Sequence, residues 1–355
     1  MNHEAPLSSR SLRQLSDPWH RVMTLRELRA HGVPAEEAEE RCAPGGPWQQ
    51  PAPGVFLLHT GRPSGEELLL SAVRYAESCG RDTASPAGAA PGAAPAVSAC
   101  ATAGTAAAAE RVLVTGMSAL ALYGFASAPR PALLERVDVL APRRLRLASA
   151  DRVRVRRCQT LPRAVRVDGF ALAPVAWAVA DAVAPPAGPE TVRAVLVEAV
   201  AGGRCDAAAV VRELGRARLM SLPHVVGAVE AMVAAGRAAA EDRLMSLVRE
   251  GGLPDPCWNV RLRLPGGPQL ATVDAYWPDH AVAVRLDTRT ARRDLARERA
   301  ERERQESLER MGVTVLTMTP QQVRTEPGLR ASLIRTALLA ATTRPPAGYL
   351  MVLPG

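Results

Sequence analysis

The chain has 355 residues, with 44 lysine-plus-arginine against 36 acidic residues, a net charge of +8 and a pI near 9.8. It contains no lysine, so every strong cation is an arginine. This length suits about two or three domains, and a basic balance favours a polyanionic partner, because phosphate contacts dominate nucleic-acid affinity. No apolar run approaches the ~18 residues of a membrane span. The start, MNHEAPLSSRSLRQLSDPWH, has no apolar core of a signal peptide. Aromatics are only 3%, so the cores are expected to be built from alanine and valine. None of the six cysteines (42, 79, 100, 158, 205, 257) falls in a C-x-x-C pair. That speaks against zinc and fits a reducing, cytoplasmic setting.

Taken in chain order, residues 1–18 read as a flexible tail. TLRELRAHGV reads as a helix that Thr24 caps and Gly32 ends, and PAEEAEERC as a second helix opened by Pro34. GGPWQQPAPGVFLL then reads as two short strands about a Pro-Gly turn. Helix, turn, helix and hairpin over 19–62 is the order of a winged helix-turn-helix. An α+β body is expected over 63–182. Its insertion at 80–109, rich in alanine, proline, glycine and serine, has too little apolar surface for a core and is expected to be disordered. GEELLLSAVRYAE reads as ordered before it. After it come a strand in RVLVTG, a helix in SALALYGF, strands in VDVLAP and RVRVRRC, a hairpin in VRVDGFALAP turning at Asp168-Gly169, and a helix in PVAWAVADAV. The T-G-x-S of Thr115–Ser118 reads as a strand-to-helix junction rather than a phosphate cradle.

Residues 183–236 read as a helical connector, with Asp206 and Ser221 as helix N-caps. From 237 to 340 the order is helix (RAAAEDRLMSLVREGG), three strands (CWNVRLRL, LATVDAYW, AVAVRLD), a long charged helix (ARRDLARERAERERQESLERMG) and a last strand (VTVLTMT). Residues 341–355 read as a tail. The charged helix carries acid-before-base pairs such as Glu298–Arg302 and Glu306–Arg310, the pattern of a solvated face. The histidines show no ligand spacing, and neither a Walker loop nor a G-x-S-x-G is present.

Two stretches resemble known families. TLRELRAHGV, Trp48 and PGVFLL, followed by TGMSALALYGF, VDVLAP and the DGFALAP-to-AVADA run, resemble AbiEi-class antitoxins of type IV toxin–antitoxin systems. That resemblance implies DNA binding by a winged helix and transcriptional repression, with double-stranded DNA and a cognate toxin or other protein as partners, and no membrane. Residues 237–318 resemble the Vsr-like branch of the PD-(D/E)xK nucleases. The expected fold class is therefore α+β multidomain: a winged helix-turn-helix, an antitoxin-like body and an α/β restriction-endonuclease-like αβββαβ domain.

The antitoxin resemblance places its second helix in the major groove. Here that helix carries Glu36, Glu37, Glu39 and Glu40 against Arg41 alone, a poor match to phosphate. The cations and amides left for DNA are Arg21, Arg26, Arg29, Arg41 and Arg62, with Gln49 and Gln50 on the wing. A protein-docking role for this module stays open. The nuclease resemblance implies carboxylates that hold magnesium, which polarises a phosphate and activates water. Glu241, Asp274 and Asp287 match three of its positions, but the remaining acid is replaced by Arg285. A guanidinium beside Asp274 and Asp287 is expected to pair with them in the metal's place. This points to an inactive site needing no cofactor. The alternative is an active magnesium-dependent endonuclease with Asp274 and Asp287 on the metal. Arg289, Arg292 and Arg293, just past this site, are further candidates for DNA contact.

Overall fold

The computed structural model describes residues 18–81, 112–288, 295–341 and 350–354. The class is α+β, with three sheets divided between two units, Met1–Gly188 and Pro189–Gly355. The insertion beyond residue 81 and residues 1–17 lie outside the described residues, as do Arg289, Arg292 and Arg293.

The first unit begins with α1 (Pro18–Arg21), β1 (Val22–Thr24), α2 (Leu25–Ala30), α3 (Ala35–Arg41) and the hairpin β2 (Gln49–Ala52) and β3 (Val55–Leu57). The sequence pattern suggested the two helices and the hairpin but not β1. That strand pairs antiparallel with β3 from Val22↔Leu57 to Thr24↔Val55, giving the order β1-β3-β2. Thr24 and Glu27 form a reciprocal capping box: the Thr24 hydroxyl accepts from the Glu27 N–H, and the Glu27 carboxylate accepts from the Thr24 N–H at 2.7 Å. Leu28, Val33, Ala38, Trp48, Phe56 and Leu58 form the core beneath. The Arg41 guanidinium stacks 4.6 Å from the Trp48 ring centre.

The helix α4 (Gly65–Arg81) joins this module to a five-stranded sheet. The sheet contains β4 (Leu113–Val114), β5 (Val137–Pro142), β6 (Val153–Cys158), β7 (Val165–Val167) and β8 (Phe170–Leu172), in the order β6-β5-β4-β8-β7. The helices α5 (Gly116–Leu122) and α6 (Val175–Val183) complete the unit. The β7–β8 turn has φ of +49° at Asp168 and +82° at Gly169, the double left-handed conformation that Asp-Gly hairpins favour. At the strand-to-helix junction Thr115 gives α5 no side-chain cap. Its hydroxyl donates instead to Asp181 at 2.5 Å, while the Ser118 hydroxyl accepts from the Asp138 N–H at 3.0 Å. Both side chains thus tie α5 to neighbouring elements.

The second unit starts with α7 (Pro189–Ala201) and α8 (Ala207–Arg216). Next comes α9 (Pro223–Glu250), one unbroken 28-residue helix. The domain change expected at 236/237 therefore falls inside a single helix. Gly236 sits at its middle because α7 passes so close that a Cβ there would lie 2.6 Å from a Val200 methyl. Ser221 is not the cap: α9 begins at Pro223, and the Ser221 hydroxyl donates to the Arg218 carbonyl. A mostly antiparallel sheet follows, of β9 (Cys257–Arg263), β10 (Gln269–Trp277), β11 (Val282–Leu286), β12 (Thr314–Met318) and β13 (Met351–Pro354), in the order β12-β11-β10-β9-β13. Helix α10 (Leu295–Arg310) precedes β12, to which β11 is parallel. Helices α11 (Pro320–Thr325) and α12 (Pro327–Ala341) follow β12.

The expected tail at 341–355 instead contributes Met351–Pro354 to the sheet edge beside β9. Leu244, Leu247 and Val248 of α9 pack with Ile334 and Leu338 of α12 on one apolar core. Leu308 of α10 joins Val273 and Tyr276 on the other.

Candidate functional site

The acids singled out in the second unit converge in part. Val273 of β10 packs in one core and Ala275 in the other, so side-chain alternation breaks at Asp274. Opposite this point the β9 pairing passes from Val260↔Val273 to Trp258↔Ala275, and the intervening Asn259 has a φ of +49°. Asparagine tolerates that left-handed conformation better than most residues. The Asp274 side chain therefore does not project as an ordinary strand residue. Its Oδ2 accepts the Leu286 N–H at 2.6 Å, extending the β10–β11 ladder past its last main-chain pair, Ala275↔Val284.

The other oxygen, Oδ1, accepts from Arg237 Nη2 at 2.6 Å. Arg237 lies one turn before Glu241 on α9, and its Nε is 2.7 Å from Glu241 Oε1. One guanidinium thus bridges two of the three candidate acids. Asp274 is 3% exposed. Burial pushes its pKa above the usual aspartate value; the Leu286 N–H and Arg237 pull it down without cancelling that, and Glu241 adds to the rise. The sequence reading pairs Arg285 with Asp274 and Asp287 and does not single out Arg237. Arg285 stands close enough to exert a smaller downward pull on Asp274, but the cation seated between Glu241 and Asp274 is Arg237. Its signal in the sequence was the i, i+4 spacing of Arg237 and Glu241.

Asp287 follows β11, where its N–H bonds to the Met318 carbonyl at 2.8 Å. It lines a cleft of about 220 Å³ together with Arg237, Cys205, Asp206, Thr319 and Arg324. Among the described residues, no three histidine, cysteine, aspartate or glutamate side chains group as a metal-ligand set. A magnesium ion needs free carboxylate oxygens. One Asp274 oxygen is engaged by a guanidinium and the other by a backbone N–H, so the cation seated at Asp274 and Glu241 in this structure is Arg237.

The candidate DNA-contacting residues of the first unit divide into two groups. Arg21 lies 3.4 Å from Glu67, Arg62 lies 3.3 Å from Glu135, and Arg41 pairs with Glu37. The Gln49 amide donates to the carbonyls of His59 (2.9 Å) and Gly61 (2.6 Å). These four are engaged within the fold, although the Arg62 pair is fully at the surface. Arg26, Arg29 and Gln50 are exposed, as are Glu36, Glu39 and Glu40 on α3.

Glu67 is the structural centre of this region, and sequence reading passed over it. It is buried against Arg21 and His59, 3.2 Å away, and its Oε2 accepts the Ser64 N–H at 2.8 Å. Burial raises its pKa, but the Ser64 N–H and hydroxyl together with His59 outweigh that and hold it below the usual glutamate value. A glutamate three residues after a serine, as in Ser64-Gly-Glu-Glu67, was its capping-box signal.

No protein-family model matches the chain, and no curated protein matches it. Among the described residues, no helix is long and apolar enough to cross a membrane.

Proposed function

We propose that the chain is a cytoplasmic, DNA-binding transcriptional regulator of the AbiEi antitoxin type. Its N-terminal module acts as a winged helix, and the second unit is a nuclease-like domain that has lost its metal chemistry. The observation that carries the second half is the Arg237 bridge, which engages Asp274 and Glu241 with an internal cation. The DNA-binding half is supported by the strand, two helices and hairpin on one core. These leave Arg26, Arg29 and Gln50 exposed for phosphate and base contacts. Double-stranded DNA is the partner this reading needs, and a cognate toxin is compatible with it.

The test is a gel shift of the full chain on its own upstream DNA with divalent ions chelated, followed by incubation of the same DNA with magnesium. The expected result is a salt-sensitive shift and intact DNA. Magnesium-dependent cutting that disappears in Asp274→Ala would overturn the inactive-site reading in favour of an endonuclease. A second reading, protein docking, is favoured by one observation: Glu36, Glu39 and Glu40 are exposed on the helix that would enter the groove. The absence of any shift at low salt is the outcome that selects it.

A further inference from the structure

The charge of the chain is unevenly placed. Residues 136–166 hold ten arginines and two aspartates, a net +8, which equals the excess of the whole protein. The remaining residues therefore carry no net charge, and this stretch accounts for the basic excess that favours a polyanion.

The structure orders part of this stretch into a ridge. Between β5 and β6, Leu145 and Leu147 are buried while Arg143, Arg144 and Arg146 are exposed. The alternation turns the leucines inward and leaves the arginines in solvent. The loop is fastened at its start, where the Arg143 N–H donates to the Cys158 carbonyl at 2.9 Å and the Leu145 N–H to the Pro142 carbonyl at 3.0 Å, and at its end, where the Ala150 N–H donates to the Val153 carbonyl at 2.8 Å. Beneath it the Arg157 guanidinium donates to the carbonyls of Pro142 (3.2 Å), Leu145 and Leu147. One arginine is thus spent as an internal clamp, so that the loop carrying three others is fixed before any partner arrives. The nearby acids, Glu135 and Asp151, face a separate groove that they line with Arg62, Arg136 and Arg152.

We propose that Arg143, Arg144 and Arg146 form a preorganised contact surface for the phosphate backbone of double-stranded DNA. This rests on the DNA-binding reading above but places its main electrostatic contact in the body of the first unit, away from the acidic helix α3. Three guanidiniums on a fixed loop suit phosphate oxygens, and contacts to phosphate carry no sequence information. The surface is therefore expected to add affinity evenly across sequences, with recognition left to other residues.

The experiment is a fluorescence-anisotropy titration of labelled upstream DNA with the full chain across a salt series. The proteins compared are the wild type, the Arg143→Ala/Arg144→Ala/Arg146→Ala variant and the Arg26→Ala/Arg29→Ala variant. Each phosphate contact contributes about 0.9 to the slope of log affinity against log salt. The ridge variant is expected to lower the slope by about 2 to 3 and the affinity at least about ten-fold near 0.1 M salt. Its melting temperature should stay unchanged, because the three side chains are exposed. A wild type that binds, with a ridge variant of unchanged slope, overturns the ridge and leaves the regulator reading standing. A wild type that does not bind at low salt overturns both. Polyglutamate displacing DNA at equal charge concentration would show an acidic-polypeptide surface and also overturn the proposal.

Discussion

Arg237 lies 2.7 Å from Glu241 and 2.6 Å from Asp274, so a single guanidinium is shared between a helix acid and a nearly buried strand acid. Removing it leaves Asp274 with the Leu286 N–H and the weaker pull of Arg285, in surroundings that already disfavour its charge. Breaking a well-buried pair costs about 3–5 kcal/mol, but Arg237 itself is 43% exposed and water can partly replace it. Arg237→Ala is therefore expected to lose about 1–3 kcal/mol in urea unfolding at neutral pH. Asp274→Asn in the same background should recover part of that loss, because it removes the unpaired charge. A double variant no more stable than the single one would contradict the bridge.

The same variant probes the nuclease resemblance. With the guanidinium gone, Glu241 and Asp274 regain free oxygens, and weak manganese binding by isothermal titration is the expected gain. The wild type should show none at this position. Equal binding by both proteins would mean that Arg237 does not compete with a cation there.

Glu67 sets an acid sensitivity in the first unit. Its folded pKa lies below its unfolded one, so its stabilisation is fully present above the unfolded value of about 4.3. That stabilisation is lost as pH falls through the folded value. Glu67→Gln is expected to cost about 1–3 kcal/mol at neutral pH, through the buried contacts to Ser64, His59 and Arg21. The variant should also show a flatter loss of stability below pH ~4. Parallel acid-unfolding curves for variant and wild type would remove Glu67 as the cause.

Asp138 behaves in the opposite sense. Burial raises its pKa, and its neighbours Arg156, Arg154 and Arg136 only partly offset this, while Asp181 adds to the rise. Its Oδ1 has no hydrogen-bond partner. A raised carboxylate is a cost while ionised, and that cost is relieved as pH falls from the folded pKa towards the unfolded one. Asp138→Asn is therefore expected to leave stability at neutral pH unchanged or higher by up to about 1 kcal/mol. A loss above about 2 kcal/mol in thermal unfolding would mean that the arginine contacts outweigh desolvation.

Most elements were legible because local chemistry specified them: Thr24 and Glu27 at a helix start, Asp168-Gly169 at a hairpin, alternating Val153–Cys158 in a strand. Partners distant in sequence were not. β1 and β13 are short strands whose only evidence is the neighbour they pair with, Leu57 and Arg263 respectively. Two acids of the candidate site, Glu241 and Asp274, were named through the nuclease resemblance and share one guanidinium, but the cation that joins them, Arg237, was not foreseen. Arg285 is close to Asp274 in sequence, whereas Arg237 reaches it through helix packing over 37 positions. The break in alternation at Asp274 depends on Asn259 in a neighbouring strand, which no pattern within β10 encodes.

The unbroken helix α9 has a consequence for how the second unit comes apart. Its first half lies along α7, with Gly236 against Val200, and its second half supplies Leu244, Leu247 and Val248 to the sheet core. Heat or denaturant cannot melt one half without fraying hydrogen bonds of the other, so residues 189–355 are tied to a single cooperative transition. A fragment begun at Arg237 would start in mid-helix with no cap, and one begun near Pro189 would keep the helix whole. Proteolysis of the intact chain should therefore leave the second of these fragments.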